Sequence, residues 1–262
     1  MLQDVINDLP DIGDKNVTIA LSGGLDSTTL VYTLAYKYGA DKVKALAFDF
    51  GQRHKIELDM AQKTADFLGI DFKIIKLDYL RDIAMETSAL IEGSSLKPKT
   101  AEENAGDPQV NTYVPWRNAQ FAFITAAFAE TNNCEHIFQG TNQVDEYGYF
   151  DTSSQFRDAL NNVFILNRQN PVELVTPFVE LYKDDELNMA RELSKIYGFD
   201  ILTNTWSCYN GDNGSGKECG KCNTCSEKIT GYIQADYSVE VIQRKFDIST
   251  EDLTDMILEI GD

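Results

Sequence analysis

The 262 residues, 43% of them hydrophobic, are enough to bury one sizeable core, in a single α/β domain or a domain with a small appendage. Lys and Arg total 23 against 42 Asp and Glu, a formal charge of −19; such a surface repels phosphate backbones, no basic cluster offsets it, and a nucleic-acid partner is not expected. No segment has the apolar length of a membrane span, and Met1 to Pro10, with Asp4 and Asp8, lacks the basic-then-apolar form of a secretory signal, so a cytoplasmic protein without a membrane partner is expected.

The β-branched run Val17 to Ile19 predicts a strand, and the apolar-periodic stretch Thr28 to Tyr38 predicts a helix. Between them lies Leu21-Ser22-Gly23-Gly24-Leu25-Asp26-Ser27, a glycine-rich turn opening a helix, which is a ready anion site. Gly23 and Gly24 let the backbone approach a phosphate, Ser22 and Ser27 add hydroxyl donors, and the positive end of the helix faces the ligand. The turn is neither a Walker A loop, since no Lys-Ser/Thr pair follows the glycines, nor a G-x-G-x-x-G turn. An ordinary Ser/Gly turn capped by Asp26 is the bland alternative, and the strand and helix on either side argue against it.

Val43 to Phe48 reads as a second strand, His54 to Leu68 as a helix and Phe72 to Leu77 as a third strand. This alternation predicts parallel strands, right-handed crossovers and a ligand crevice at the strands' carboxyl ends, where Ser22–Ser27 and Asp49–His54 both fall. Residues 91–114 are polar and aperiodic, a loop long enough to be a lid or a binding segment. Asn118 to Thr131 predicts a helix and His136 to Gly140 a strand, followed by a polar, aromatic loop from Asn142 to Ser154. Val172 to Val175 reads as the last strand and Lys183 to Tyr197 as an amphipathic helix. His136 opens a strand rather than doing chemistry, and Cys134, in the apolar stretch Phe121 to Ile137, reads as a small buried hydrophobe.

Cys208, Cys219, Cys222 and Cys225 form a C-x10-C-x2-C-x2-C pattern that suits one tetrahedral metal, with Zn²⁺ the first choice and a disulfide framework out of place in a cytosolic chain. An iron–sulfur cluster is the competing reading, weakened because no Cys-Pro closes the motif. Ser238 to Asp262 alternates acids with Ile, Leu and Met at helical spacing and predicts an amphipathic helix docked on the domain or on a second subunit. The expected division is a catalytic domain over 1–200, a Cys₄ subdomain over 201–237 and an acidic tail over 238–262.

Ser22-Gly23-Gly24-Leu25-Asp26-Ser27 resembles the PP-loop of the ATP pyrophosphatases, which adenylate a carbonyl or carboxylate oxygen and release pyrophosphate. The resemblance implies that Leu21 to Thr28 and Phe48 hold ATP, with Asp26 near Mg²⁺. Further strings extend it: Phe48-Asp49-Phe50-Gly51-Gln52-Arg53-His54, Asn111-Thr112-Tyr113-Val114-Pro115 with Arg117-Asn118, and Gly140, Asn142, Asp145, Gly148, Tyr149 and Asp151. Thr176-Pro177 with Lys183, Ser207-Cys208-Tyr209-Asn210-Gly211 and the Cys219–Cys225 motif complete them. From about Val17 to Tyr232 the chain resembles the 7-cyano-7-deazaguanine synthase (QueC) family.

That resemblance implies a PP-loop fold, a twisted parallel sheet with helices on both faces, plus a small C-terminal zinc subdomain. It also implies conversion of 7-carboxy-7-deazaguanine and ammonia to the nitrile preQ0 at the expense of ATP; a homodimer is the expected assembly. The residues implied in catalysis are Asp26, Arg53, His54, Arg117 and Lys183, with Arg53 and His54 at the nucleotide phosphate or the adenylate, unless they only cap and pack a helix start. Arg117 and Asn118 would meet the substrate carboxylate, Asp145, Tyr149 and Asp151 the guanine-like edge, and Lys183 and Lys228 would neutralise phosphate or oxyanion. The chain departs from the family at Trp116, where glycine is usual, at Phe150-Asp151-Thr152-Ser153, where Pro-Asp-Cys-Arg is usual, and at Glu227-Lys228, where Leu-Arg is usual. These departures bear on the end product, with the 7-amide as the alternative to the nitrile. A PP-loop tRNA-thiolating enzyme is a further alternative, against which the charge of −19 argues, and a non-catalytic nucleotide-binding module is disfavoured by the intact loop.

Overall fold

The computed structural model describes residues 1–104, 109–142 and 149–261. β1 (Asn16–Ala20) lies at the centre of a five-stranded sheet with β2 (Val43–Asp49), β3 (Asp71–Lys76), β4 (Cys134–Phe138) and β5 (Glu173–Val175), all pairs parallel, in the order β3-β2-β1-β4-β5. The order reverses between β1 and β4, so their carboxyl ends open the crevice in which ligands of such sheets bind.

The period-2 alternation of the strands distributes their side chains to two layers. Val43, Ala45 and Ala47 join Val17 and Ile19 in one core, under α1 (Leu2–Asp8), α2 (Leu25–Tyr38), α3 (Ile56–Leu68) and α8 (Lys183–Tyr197). Leu46 and Phe48 face the other side, packing with α4 (Asp78–Ala84) and with Phe121, Ile124 and Phe128 of α6 (Arg117–Thr131). Ile137 and Leu174 bury Ala122 and Ala129 of α6 together with Leu160 and Phe164 of α7 (Ser154–Phe164). A short α5 (Ala101–Asn104) interrupts the long loop. The parallel sheet with helices on both faces is the fold the sequence predicts.

Strand boundaries shift by a residue or two: β4 opens at Cys134 rather than His136 because Cys134 already pairs with Asn16. The sequence reading has no counterpart of α1, α4, α5, α7 or the helix over Asn223–Gln234. In α7 only Leu160 and Phe164 are buried, and its start is a capping hydrogen bond from Phe156 N to Ser153 Oγ (3.2 Å).

After α8 the chain runs through the cysteines into α9 (Asn223–Gln234), and the tail forms two helices rather than one, α10 (Val239–Lys245) and α11 (Thr250–Gly261). The break follows from backbone pairing: Glu218 N donates to Lys245 O (2.9 Å) and Asp247 N to Glu218 O (2.8 Å), which holds Phe246 extended. Cys208, Cys225, Ile229, Tyr232, Ile242, Phe246 and Leu253 share the core that contains Val17 and Ile19, so residues 200 and 237 are not boundaries between cores.

Candidate active site and cysteine cluster

The loop between β1 and α2 is held by its own short side chains. Ser22 N donates to Ser27 Oγ (3.1 Å), Gly24 N donates to Ser22 Oγ (3.2 Å), and the two hydroxyls lie 2.9 Å apart. Gly23 adopts φ +90, and a Cβ there would lie 2.0 Å from Glu57 O, so the loop leans directly on the backbone of α3 and only glycine fits. Gly24, the N-cap of α2, supplies no side-chain acceptor, which leaves first-turn amides to be satisfied by an anion. Across the switch point, a Cβ on Gly140 would lie 3.0 Å from Ser27 N, so the end of β4 closes on the first turn of α2.

Lys183, the first residue of α8, is buried and brings its ammonium 2.6 Å from Asp26 Oδ1 and 3.6 Å from Glu186 Oε2. Burial works against the charge of Asp26, but the Lys183 ammonium, beside it and donating to it, holds its carboxyl below the ordinary value. At the other side of the cleft, Arg117 opens α6 with its guanidinium 5.7 Å from the ring centroids of both Phe50 and Tyr149. Among the described residues it forms no ion pair with a carboxylate, and its Nε donates to Asn118 Oδ1 (3.4 Å). Tyr149 Oη bonds Thr112 Oγ1 (2.7 Å) and Tyr209 Oη (3.3 Å), and burial first, then Tyr149, pushes the Tyr209 phenol well up.

One cleft is lined by Ser22, Gly24, Asp26, Ser27, His54, Arg117, Asn118 and Tyr149 together with Glu57, Trp206, Ser207 and Tyr209. His54 Nε2 lies 3.2 Å from Glu57 Oε2, which orients the ring. Other expected site residues are placed differently. Arg53 donates through Nη2 to Ser94 O (3.2 Å) and Leu96 O (2.9 Å), so its guanidinium ties down the long loop rather than lining the cleft. Asp151 is buried and accepts from Asn118 N (3.2 Å) and Asn118 Nδ2 (3.1 Å), capping α6 instead of facing the cleft. Lys228 donates to Glu218 Oε1 (2.9 Å) and reaches only Ser207 Oγ (3.4 Å) among the cleft residues. Phe48 stacks on Phe121, 4.1 Å between centroids, and lines a side chamber with Leu21 and Ser22. Leu25 and Thr28 turn their side chains into the protein. Asp145 lies outside the described residues.

Sequence reasoning gave no role to Glu57, Glu186, Trp206, Ser207 or Tyr209. Ser207 and Tyr209 fall in the family string around Cys208, which gave them no role, and the only sequence signal for Trp206 is that it precedes that string. Two of the departures from the family touch each other: Trp116 sits at φ 55, a conformation that favours glycine, and its ring meets Phe150 edge-on at 5.2 Å.

The Sγ atoms of Cys208, Cys219, Cys222 and Cys225 all lie within 4.8 Å of one another, and Cys219 and Cys225 are 3.9 Å apart. A tetrahedral ion with metal–sulfur bonds of about 2.3 Å needs sulfur–sulfur edges of about 3.8 Å, so the set fits one such ion. Asn210 Nδ2 (3.2 Å), Cys222 N (3.4 Å) and Lys221 N (3.5 Å) donate to Cys219 Sγ, as thiolate sulfur requires. The Cys219 thiol is pulled far below its ordinary value, by Cys208 first and then by Cys222 and Cys225. Gly220 permits the turn at φ 71, with Asp247 O where a Cβ would stand.

The fold and the glycine-rich loop define a class. The chain superposes over 99% of its length on a glutamine-dependent NAD⁺ synthetase from Acinetobacter baumannii, described in complex with ADP, at TM-score 0.52 and 14% identity, covering 42% of that chain. It superposes on an NMN synthetase from Francisella tularensis at TM-score 0.51 and 16% identity, covering 98% of this chain and 92% of the other. At these identities the likeness is one of fold.

Sequence takes the assignment further. The family profile for queuosine biosynthesis protein QueC matches residues 16–236, and the chain belongs to that family. It is 33% identical over 235 residues to a 7-cyano-7-deazaguanine synthase of Chromobacterium violaceum, covering 88% of this chain and 94% of the relative. It is 39% identical over 220 residues to one of Picrophilus torridus, covering 82% and 86%.

Proposed function

We propose that the protein is an ATP-dependent ligase that converts 7-carboxy-7-deazaguanine and ammonia into 7-cyano-7-deazaguanine. One observation carries the reading: a single cleft joins the phosphate-binding turn and Asp26, which the buried Lys183 meets from outside the cleft lining, to an Arg117 guanidinium set between two aromatic rings. The first-turn amides of α2, Leu25 to Ser27, would receive the β- and γ-phosphates, leaving the α-phosphorus open to a carboxylate oxygen. Arg117 would hold that carboxylate by a bidentate fork, and Phe50 and Tyr149 would flank the planar base.

A carboxylate oxygen attacks the α-phosphorus, the bond to the β-phosphate oxygen breaks, and pyrophosphate leaves. Ammonia then adds to the acyl carbon, AMP departs with the bonding pair, and the surplus proton goes to solvent, leaving the amide. The amide oxygen attacks the α-phosphorus of a second ATP, a second pyrophosphate leaves, and loss of AMP with two N–H protons forms the nitrile. Throughout, Lys183 can shift from Asp26 to the leaving pyrophosphate, because a 2.6 Å ion pair places its ammonium beside the loop. Asp26 would carry Mg²⁺, which supplies charge neutralisation on the pyrophosphate, and Cys208, Cys219, Cys222 and Cys225 would carry a structural Zn²⁺.

A mass-spectrometric time course with 7-carboxy-7-deazaguanine, ammonium and excess ATP tests the end product. Amide that rises and then converts to nitrile supports the proposal. Amide that accumulates without further change replaces the nitrile with the amide as product.

A further inference from the structure

The strip Thr205-Trp206-Ser207 carries the phosphate loop on one side and is gripped from behind on the other. Trp206 N donates to Gly23 O (2.9 Å), and Trp206 and Ser207 both line the cleft. Lys245, the last residue of α10, donates to Thr205 O (2.5 Å) and lies 5.8 Å from the Trp206 ring centroid. Lys228 of α9 reaches Ser207 Oγ (3.4 Å). Both ammoniums converge on one oxygen, Glu218 Oε1, at 3.2 Å from Lys245 and 2.9 Å from Lys228, and Glu218 is fully buried. The family match ends at residue 236, so Lys245 belongs to the part of the chain outside it.

We propose that Lys245 is a positioning residue for the phosphate loop: the tail helix α10, through this side chain, fixes Thr205–Ser207 and thereby the Gly23 carbonyl, so that ATP affinity depends on the tail. The chain of contacts is continuous and polar at each link, from Glu218 to Lys245, to Thr205 O, along one peptide to Trp206 N and on to Gly23 O. Its charge balance also makes it separable from folding. Removing the Lys245 ammonium leaves Glu218 paired with Lys228, a neutral buried couple, whereas removing the Glu218 charge would leave two buried cations facing each other. Lys245→Met keeps the apolar stem against Trp206 and deletes only the donor.

The inference rests on ATP as the ligand of the loop, and the experiment separates the two. ATP affinity is measured by calorimetry on wild type, Lys245→Met and Lys245→Arg, with metal content and circular dichroism as checks of folding and KM for the carboxylate substrate as a second readout. The expected result is an ATP Kd about tenfold weaker in Lys245→Met, recovered at least in part by Lys245→Arg, with metal content and the carboxylate KM unchanged. A folded Lys245→Met with wild-type ATP affinity, or one that weakens both substrates equally, overturns the proposal. If Lys245→Met does not fold, faster deuterium exchange at the Trp206 amide in Lys245→Gln supports it and unchanged exchange overturns it. A wild-type protein that fails to bind ATP removes the ATP reading itself, and this proposal with it.

Discussion

The phosphate loop and the cysteine cluster are both short motifs of glycines and small polar or sulfur side chains, but opposite forces shape them. The loop stands at the end of the central strand, and its geometry is a matter of backbone: a positive φ at Gly23, a carbonyl of α3 where a side chain would be, and serine hydroxyls bonding amides two and five residues away. The cluster lies past the last strand of the sheet in the chain. Its four sulfurs are gathered by N–H donors, by a glycine turn against Asp247 O, and by the buried Glu218 that pairs with Lys228 and Lys245. A site made of backbone should fail when space or the reacting charge is changed, and a site made of sulfur ligands should fail when a ligand or the ion is removed.

The largest effect expected is at the loop. Asp26→Asn removes the carboxylate that Lys183 meets at 2.6 Å and the expected Mg²⁺ ligand, so kcat should fall about a hundredfold or more while circular dichroism stays native. A folded Asp26→Asn enzyme with near-normal kcat would show that this carboxylate has no part in the reaction. Next is the cluster, where Cys222→Ser should reduce zinc from about one per chain and lower stability by several kcal/mol in thermal melts, because metal binding there is folding energy. Stoichiometric iron with labile sulfide in the native protein would contradict the zinc assignment.

A paired substitution sharpens the contrast between cations. Arg117→Ala should raise KM for the carboxylate substrate about tenfold to a hundredfold, since its guanidinium faces the cleft with no carboxylate partner among the described residues. Arg53→Ala should leave that KM near wild type and instead increase proteolysis of the loop over residues 91–100, whose carbonyls of Ser94 and Leu96 it holds. Equal KM effects from the two would show that the long loop also forms the substrate site.

Smallest is the effect of Cys134, which burial pushes up to about 11 from its ordinary 9.0. The unfolded thiol ionises first, so the stability gained by keeping it neutral is complete below pH 9 and is lost as the pH rises from about 9 to 11. Urea melts of wild type and Cys134→Ala should therefore converge by at most about 3 kcal/mol across that range, and a constant difference would show the thiol to be accessible.

What was legible in the sequence follows the same division. The five strands, α2, α3, α6 and α8, the loop and the four cysteines all rest on local pattern, and local pattern placed them to within a residue or three. The destinations of the long cations were not legible. Arg53 and Lys228 look like phosphate ligands in sequence, yet one donates to two loop carbonyls and the other to a buried glutamate on the far side of the cysteine turn. Side chains of that reach take whichever partner the tertiary structure offers, and no spacing rule encodes it. Helix α7 escaped because only two of its side chains are buried, and the tail broke in two because Glu218 pairs with the backbone of Lys245 and Asp247, far along the chain from it.

The central claim is that the loop directs attack on the α-phosphorus by a substrate carboxylate, and oxygen labelling addresses it directly. With ¹⁸O in both carboxylate oxygens of 7-carboxy-7-deazaguanine, turnover with ammonium should release pyrophosphate without label and AMP carrying one ¹⁸O. Unlabelled AMP, or label in inorganic phosphate with ADP as the nucleotide product, would contradict the account.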